Sequence, residues 1–325
     1  MRPTILLMGK TGQVGFELNR SLPKLGRLFA PDHRDLDLLN PDSVRSLIRD
    51  IRPQLIVNAA AYTKVDAAES DEANAHAVNA IAPAVLAEEA KKLGAAVVHY
   101  STDYIFDGAK AAPYEEMDPA NPISIYGKTK LAGEQAIRST GVPHLIFRTA
   151  WVYATRGRNF LLTILRLATE KEELRIVRDQ IGAPTWSLEI AAATTKILAQ
   201  VIERSSATSA FSEVSGTYHL TAAGETTWYD FAKAIIEEAS HAPQSIPWFA
   251  AATGGRPLAT RHIIPITTQE YPTAAARPAY SVLSNSLLMQ TFEVQMQDWR
   301  IQLRHAFSVD RNGRQKPPLV TRSTS

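Results

Sequence analysis

Cysteine is absent from all 325 residues. That excludes a disulfide framework, a thiolate metal site and catalysis by a cysteine nucleophile. No apolar run approaches the roughly 20 residues that a membrane-spanning helix needs. Met1-Arg2-Pro3-Thr4 leads into a short apolar stretch rather than a signal-peptide core. Neither charge dominates: 35 basic and 33 acidic side chains leave a formal net charge of +2, without the broad basic surface that binds nucleic-acid phosphates. Only the tail from Arg311 to Arg322 is locally basic. Internal repeats are lacking as well. What remains is a chain with 45% apolar residues, enough for a sizeable core, and the expectation is a folded cytoplasmic protein without nucleic-acid or membrane partners.

The first half alternates short apolar runs with longer amphipathic ones, the pattern of parallel strands joined by crossover helices. The spacing predicts strands over 5–8, 28–30, 55–60, 96–101 and 145–148, and helices over 14–25, 41–51, 74–93 and 128–139. Asn40-Pro41-Asp42 reads as a helix start, and Gly94 and Gly141 as stops. This order gives an α/β fold with a doubly wound parallel sheet. Beyond Trp151 the pattern is mixed, with helices expected over 160–169, 188–203 and 228–239. We therefore divide the chain into a cofactor-binding domain over 1–150, a smaller, mainly substrate-binding lobe over 151–307, and a disordered tail over 308–325. A strand over 216–221 could return to the main sheet.

Directly after the first strand, Gly9-Lys10-Thr11-Gly12-Gln13-Val14-Gly15 opens a helix as G-x-x-G-x-x-G. Glycines let backbone turn tightly and approach a pyrophosphate, whose charge is favoured by free N–H groups at a helix N-terminus. Lys10-Thr11 precedes Gly12, so this is not the phosphate loop that ends in Gly-Lys-Ser/Thr. Asp37 and Leu38 could hold an adenine edge, and Ala59, Ala60 and Ala61 offer small side chains at the carboxyl edge of the sheet. The second strand leads into Pro31-Asp32-His33-Arg34. An acid there suits the ribose 2′-hydroxyl of NADH and an arginine the 2′-phosphate of NADPH. Arg34 is the expected reader, with Asp32 capping the turn, so the chain should use NADPH or NADH with a modest preference for NADPH.

Ser101-Thr102-Asp103-Tyr104 ends the fourth strand, and Tyr126-Gly127-Lys128-Thr129-Lys130 begins the following helix. Tyrosine and lysine four residues apart share a helix face. A nearby ammonium favours phenolate and so lowers a phenol's pKa from about 10, while Thr102 can bind a carbonyl oxygen on its other side. Together they could protonate the alkoxide formed when a hydride reaches a ketone. His76 and His99 do not compete as catalysts.

These motifs resemble the extended short-chain dehydrogenase/reductase superfamily and, within it, the dTDP-4-dehydrorhamnose reductase family. The resemblance runs from residue 1 to about 300. Its discriminating segments are Ala-Tyr-Thr-Lys-Val-Asp from Ala61 and Ser-Thr-Asp-Tyr-Ile-Phe-Asp from Ser101. Arg148 to Tyr153 and Gln180 to Thr185 extend it. It implies a Rossmann-type sheet and reduction of the C4 ketone of a nucleotide-linked 4-keto-6-deoxysugar, dTDP-4-dehydro-L-rhamnose to dTDP-L-rhamnose. By the family's pattern, Tyr126 donates the proton, Lys130 binds the nicotinamide ribose and lowers the tyrosine pKa, and Thr102 holds the keto oxygen. Thr63, Val65, Asp103, Tyr104 and Trp151 line the sugar site, and Arg277 meets the nucleotide phosphates.

The chain also departs from the pattern. Some members share magnesium across a dimer through glutamates matching Glu17 and Glu189, but His305-Ala306-Phe307-Ser308-Val309 stands where the third glutamate belongs. We expect no metal site, and a homodimer only as an open expectation. The stretch 240–277 is a poor match. Two other functions are consistent with the sequence. One is a nucleotide-sugar epimerase or dehydratase, although a dehydratase would carry Asp-Glu after the threonine. The other is a non-catalytic subunit resembling the β subunit of methionine adenosyltransferase.

Overall fold

A computed structural model describes residues 2–32, 34–204 and 207–308. Six parallel strands form the central sheet: β1 (Thr4–Met8), β2 (Arg27–Phe29), β3 (Leu55–Asn58), β4 (Ala96–Thr102), β5 (His144–Thr149) and β6 (Gly216–His219). Their spatial order is β6-β5-β4-β3-β1-β2. The chain steps outward from β1 to β2, then crosses back to β3 on the other side. Such a reversal opens a crevice at the carboxyl ends of β1 and β3. The late segment 216–219 completes the sheet by pairing with β5.

Alternate strand residues face opposite layers, as a pleated strand requires. Ile5, Leu7, Val57, Val98 and Phe147 meet Leu18 of α1 (Gln13–Ser21) and, further along the chain, Ile190 and Ile197. Leu6, Met8, Ile56, Val97 and Ile146 meet α2 (Pro41–Ile51), α3 (Ala82–Leu93) and α4 (Ile125–Thr140). Each fully buried aliphatic side chain contributes about 1.5–3 kcal/mol by leaving water. A third cluster lies outside the sheet, built from α5 (Phe160–Glu170), α7 (Trp228–His241) and residues 248–249 and 299–307, while α6 (Ser187–Arg204) buries its apolar face in the first cluster.

The caps follow their sequence signals. Asn40 accepts hydrogen bonds from the N–H groups of Asp42 and Ser43, and Gly94 and Gly141 end their helices at φ of +67° and +64°. Two expected helices differ. That over 14–25 closes at Ser21, and Leu22–Lys24 continues as a 3₁₀ turn around Pro23, which has no N–H to give. That over 74–93 is broken by a π turn at Ala77–Ile81. There Asn79 spans the loop and the helix: its Oδ1 accepts from the Tyr62 N–H, and its Nδ2 donates to the Tyr62 carbonyl and to Thr129. Ser308 closes a final helix, and the rest of the tail expected to be disordered lies outside the described residues.

Helix α4 is pinned to β5 by charge. Glu134, fully buried, accepts from Arg148 Nε at 3.0 Å and Nη2 at 2.8 Å, and from Arg138 at 3.0 Å. Removing one partner of such a pair leaves the other charge buried and unpaired. Glu134→Ala should therefore cost about 3–5 kcal/mol, and replacing the pair together by Glu134→Leu with Arg148→Met distinctly less. Urea unfolding checks this, and equal losses in the two proteins would contradict it.

Candidate active site

The crevice holds a cleft of about 740 Å³ that runs from the glycine loop to the end of β4. Gly9 turns the chain at φ +81°, where a Cβ would lie 2.7 Å from the Ala60 nitrogen. At Gly15 a Cβ would lie 2.0 Å from the Gly9 carbonyl oxygen, so α1 can start this close to β1 only without side chains. Gly12 caps α1 with no side-chain acceptor, and Gly12, Gln13 and Val14 line the cleft. The N–H groups of this first turn have no side-chain cap, the arrangement that favours an anion at a helix N-terminus. Ala59, Ala60, Ala61, Thr63 and Val65 line the cleft too, as do Asp37 and Leu38.

At the other end Thr102, Tyr126 and Lys130 come together. Gly127 makes this possible, because a Cβ there would lie 2.2 Å from the Tyr104 carbonyl oxygen. The Tyr126 phenol lies beside the Thr102 hydroxyl. Thr102 also accepts from the Tyr104 N–H at 3.2 Å and donates to Asp103 Oδ1 at 3.0 Å. Burial pushes Asp103 up to about 6, against donors from Ser281 and Thr102. Lys130 is buried, and its Nζ donates to the Tyr100 carbonyl at 2.6 Å and faces His99 Nε2 at 3.3 Å. Burial brings this ammonium down to about 8.

One electrostatic expectation is overturned. Tyr126 is not lowered by its lysine: burial pushes the phenol up to about 12. The lysine head is turned toward the Tyr100 carbonyl and His99. The phenol is therefore a firmly protonated donor, the state a reduction starts from.

Asp103, Tyr104 and Trp151 line the cleft, as do Lys10, Asp32, Asn159 and Trp228, which sequence reasoning did not assign to it. Three expected residues stand apart. Gly15 acts through packing. Arg34 is exposed outside the lining, whereas Asp32 lies in it 4.0 Å from Lys10, so the order of preference between Asp32 and Arg34 is reversed. The Asp32 carboxylate accepts from the Arg34 N–H at 2.8 Å, a tight turn that sends the next side chain outward. Arg277 grips Asp66 with both terminal nitrogens, at 3.1 and 2.8 Å, and also donates to Thr273 and the Ala275 carbonyl. Its guanidinium is engaged by protein and is not part of the lining.

The family described as RmlD substrate binding domain matches residues 1–311. A dTDP-4-dehydrorhamnose reductase of Burkholderia thailandensis is 49% identical over 296 residues, 91% of this chain and 95% of that protein. The enzyme of the same name from Escherichia coli K12 is 44% identical over 91% of this chain and 94% of its own length. The chain belongs to the RmlD substrate binding domain family. The crystal structure of the dTDP-4-dehydrorhamnose reductase of Bacillus anthracis in complex with NADP superposes with a TM-score of 0.81. It shares 33% identity and covers 94% of this chain and 99% of its own. The UDP-glucose 4-epimerase of Thermus thermophilus, 18% identical with a TM-score of 0.69, shares the fold alone.

In this member of the RmlD family two tryptophans, Trp151 and Trp228, also line the cleft. Trp151, at φ +46°, stacks on Trp228 with ring centroids 3.4 Å apart and planes 4° from parallel. Gly182 leaves room for it, since a Cβ there would lie 2.4 Å from the indole. Gly182→Ala should push the ring out of its stack at a cost of about 1–3 kcal/mol, the scale of core overpacking. Urea unfolding should show the loss and near-ultraviolet circular dichroism a weakened tryptophan signal. An unchanged spectrum and midpoint would show that the stack does not depend on this glycine.

Proposed function

We propose that the protein is an NAD(P)H-dependent reductase of the C4 ketone in a nucleotide-linked 4-keto-6-deoxysugar, converting dTDP-4-dehydro-L-rhamnose to dTDP-L-rhamnose. The carrying observation is the meeting of Thr102, Tyr126 and Lys130 at one end of a cleft whose other end is the bare N-terminus of α1. Gly9, Gly12, Gln13 and Val14 hold the pyrophosphate, and Ala59 to Ala61 flank the cofactor. The reduced nicotinamide, when bound, supplies the hydride. Tyr126 gives its proton to the forming alkoxide, Thr102 fixes the oxygen once its own proton is released from Asp103, and Lys130 orients the ribose. Thr63, Val65, Tyr104 and Trp151 surround the sugar. In this division residues 1–150 carry the cofactor and 151–307 most of the substrate site.

A cytoplasmic place accords with a dependence on reduced nicotinamide and nucleotide sugars, and a homodimer is carried over from the family resemblance alone. Among the described residues no helix is long and apolar enough to cross a membrane. The magnesium site that some relatives share across a dimer is not carried over: the third glutamate of the pattern is missing from the sequence, and Glu17 is paired with Arg20 at 3.3 Å.

Incubation with NADPH and dTDP-4-dehydro-L-rhamnose should give net loss of nicotinamide absorbance and dTDP-L-rhamnose as product. An epimerase or dehydratase would recycle the cofactor, and a binding subunit would do neither. Tyr126→Phe should keep NADPH affinity and lose about 100-fold or more in kcat, the scale of positioned acid catalysis; near-normal kcat would sink the assignment. Because the phenol sits at about 12, an alkaline fall in rate below pH 10 belongs to another group.

Cofactor choice turns on Lys10 and Asp32. The lysine suits the 2′-phosphate of NADPH and the aspartate the 2′-hydroxyl of NADH, which accommodates both. Lys10→Ala should lower kcat/KM for NADPH about tenfold, or about 1.4 kcal/mol for one charge-assisted contact, and barely change NADH use. Arg34→Ala should leave both nearly alone. A selective NADPH defect in Arg34→Ala instead would return the phosphate to that residue.

A further inference from the structure

His99 lies fully buried in β4 beneath the catalytic lysine, and the chemistry above makes no use of it. Its ring is engaged at both nitrogens. Nδ1 is 3.1 Å from Asn58 Nδ2, and Nε2 is 3.3 Å from Lys130 Nζ. The orientation of Asn58 has its own determinant, because the Ala60 N–H points at the amide oxygen Oδ1 at 3.2 Å. A backbone N–H can only donate, so Asn58 cannot present its NH2 to Ala60. Nδ2 therefore faces His99 and donates, and Nδ1 must offer a lone pair.

The count then fixes the rest of the network. With Nδ1 bare, a neutral imidazole carries its proton on Nε2, aimed at Lys130. An imidazolium would set a second N–H against the Asn58 NH2, and burial with the neighbouring lysine charge holds this ring well below its ordinary pKa. Against a lysine ammonium the Nε2–H is a donor facing a donor. Against an amine it is a hydrogen bond to the Nζ lone pair, and an amine N–H still serves the Tyr100 carbonyl.

We propose that His99 is a positioning residue for Lys130: locked by Asn58 as the Nε2–H tautomer, it hydrogen-bonds the uncharged lysine amine and makes the ammonium easier to deprotonate. This rests on Lys130 being the catalytic lysine of the reductase. The other groups around Lys130 fit it. Glu134, one turn along α4, favours the ammonium, but its carboxylate is taken by Arg148 from β5 and by Arg138. Tyr126 on α4 is a neutral phenol, and Asp103 beyond β4 acts on Tyr126 and Thr102. When Tyr126 has given its proton to the alkoxide oxygen, solvent returns one to the phenolate, so the net proton in the alcohol comes from solvent. The Lys130 amine, where it forms, is held by His99.

The direct test is nitrogen NMR of protein labelled with ¹⁵N-histidine, with His99 assigned by its loss in His99→Gln. Wild type at neutral pH should show a protonated Nε2 and a bare Nδ1. Asn58→Asp is isosteric, and its carboxylate accepts from both Ala60 and Nδ1–H, so it should reverse the tautomer. In kcat/KM for the reduced cofactor, the alkaline limb should move up about one pH unit in both variants, tenfold in proton activity, because the donor that favoured the amine is gone. A wild-type ring protonated at Nδ1 or at both nitrogens overturns the proposal, as does an alkaline limb unmoved in both variants. If the substrate reading is wrong, every variant fails to turn over while the ring tautomer is still readable.

Discussion

The active cleft depends on how closely α4 can approach the end of β4. Two positions on that helix must be glycine. A Cβ at Gly127 would lie 2.2 Å from the Tyr104 carbonyl oxygen, and one at Gly133 would lie 2.1 Å from that of Asn79. With both side chains missing, the helix settles onto the turn after β4 and onto the π turn that carries Asn79. Lys130 and Glu134, on the face between, are then carried out of water together. Tyr126, one turn earlier, is brought to the Thr102 hydroxyl.

Burying a lysine and a glutamate costs free energy unless each finds partners. Glu134 meets Arg148 and Arg138. Lys130 meets a carbonyl and an imidazole, neither of them an anion, and its ammonium is correspondingly weakened to about 8. The same burial strengthens the hold of Tyr126 on its proton. A phenolate at Tyr126 would suit alcohol oxidation. A protonated phenol suits ketone reduction, and the burial that keeps it protonated also weakens the lysine ammonium.

Much of this was legible in sequence because it is local. The glycine loop, the caps at Asn40, Gly94 and Gly141, and the four-residue step from Tyr126 to Lys130 depend on neighbours along the chain. The alternation of short apolar runs with longer amphipathic ones marked the parallel strands and their crossover helices. What escaped is set by side chains that meet across it. Asn58 and His99 are 41 positions apart and join only because β3 and β4 run in register. Trp228 reaches Trp151 from α7, and Arg277 is drawn to Asp66 by a loop whose course the sequence does not state. Asp32 and Arg34 show the limit at short range, since two charges in one turn were told apart only by the direction in which the backbone sends them.

The central claim is that hydride passes once, and without return, to the sugar C4 while Tyr126 supplies the proton. NADPH deuterated at the transferable position of its nicotinamide tests it most directly, with dTDP-4-dehydro-L-rhamnose as acceptor and the product read by mass spectrometry and NMR. The account predicts one deuterium at C4 of dTDP-L-rhamnose for each nicotinamide oxidised. Deuterium at another carbon, or product formed with no net oxidation of the cofactor, would contradict it.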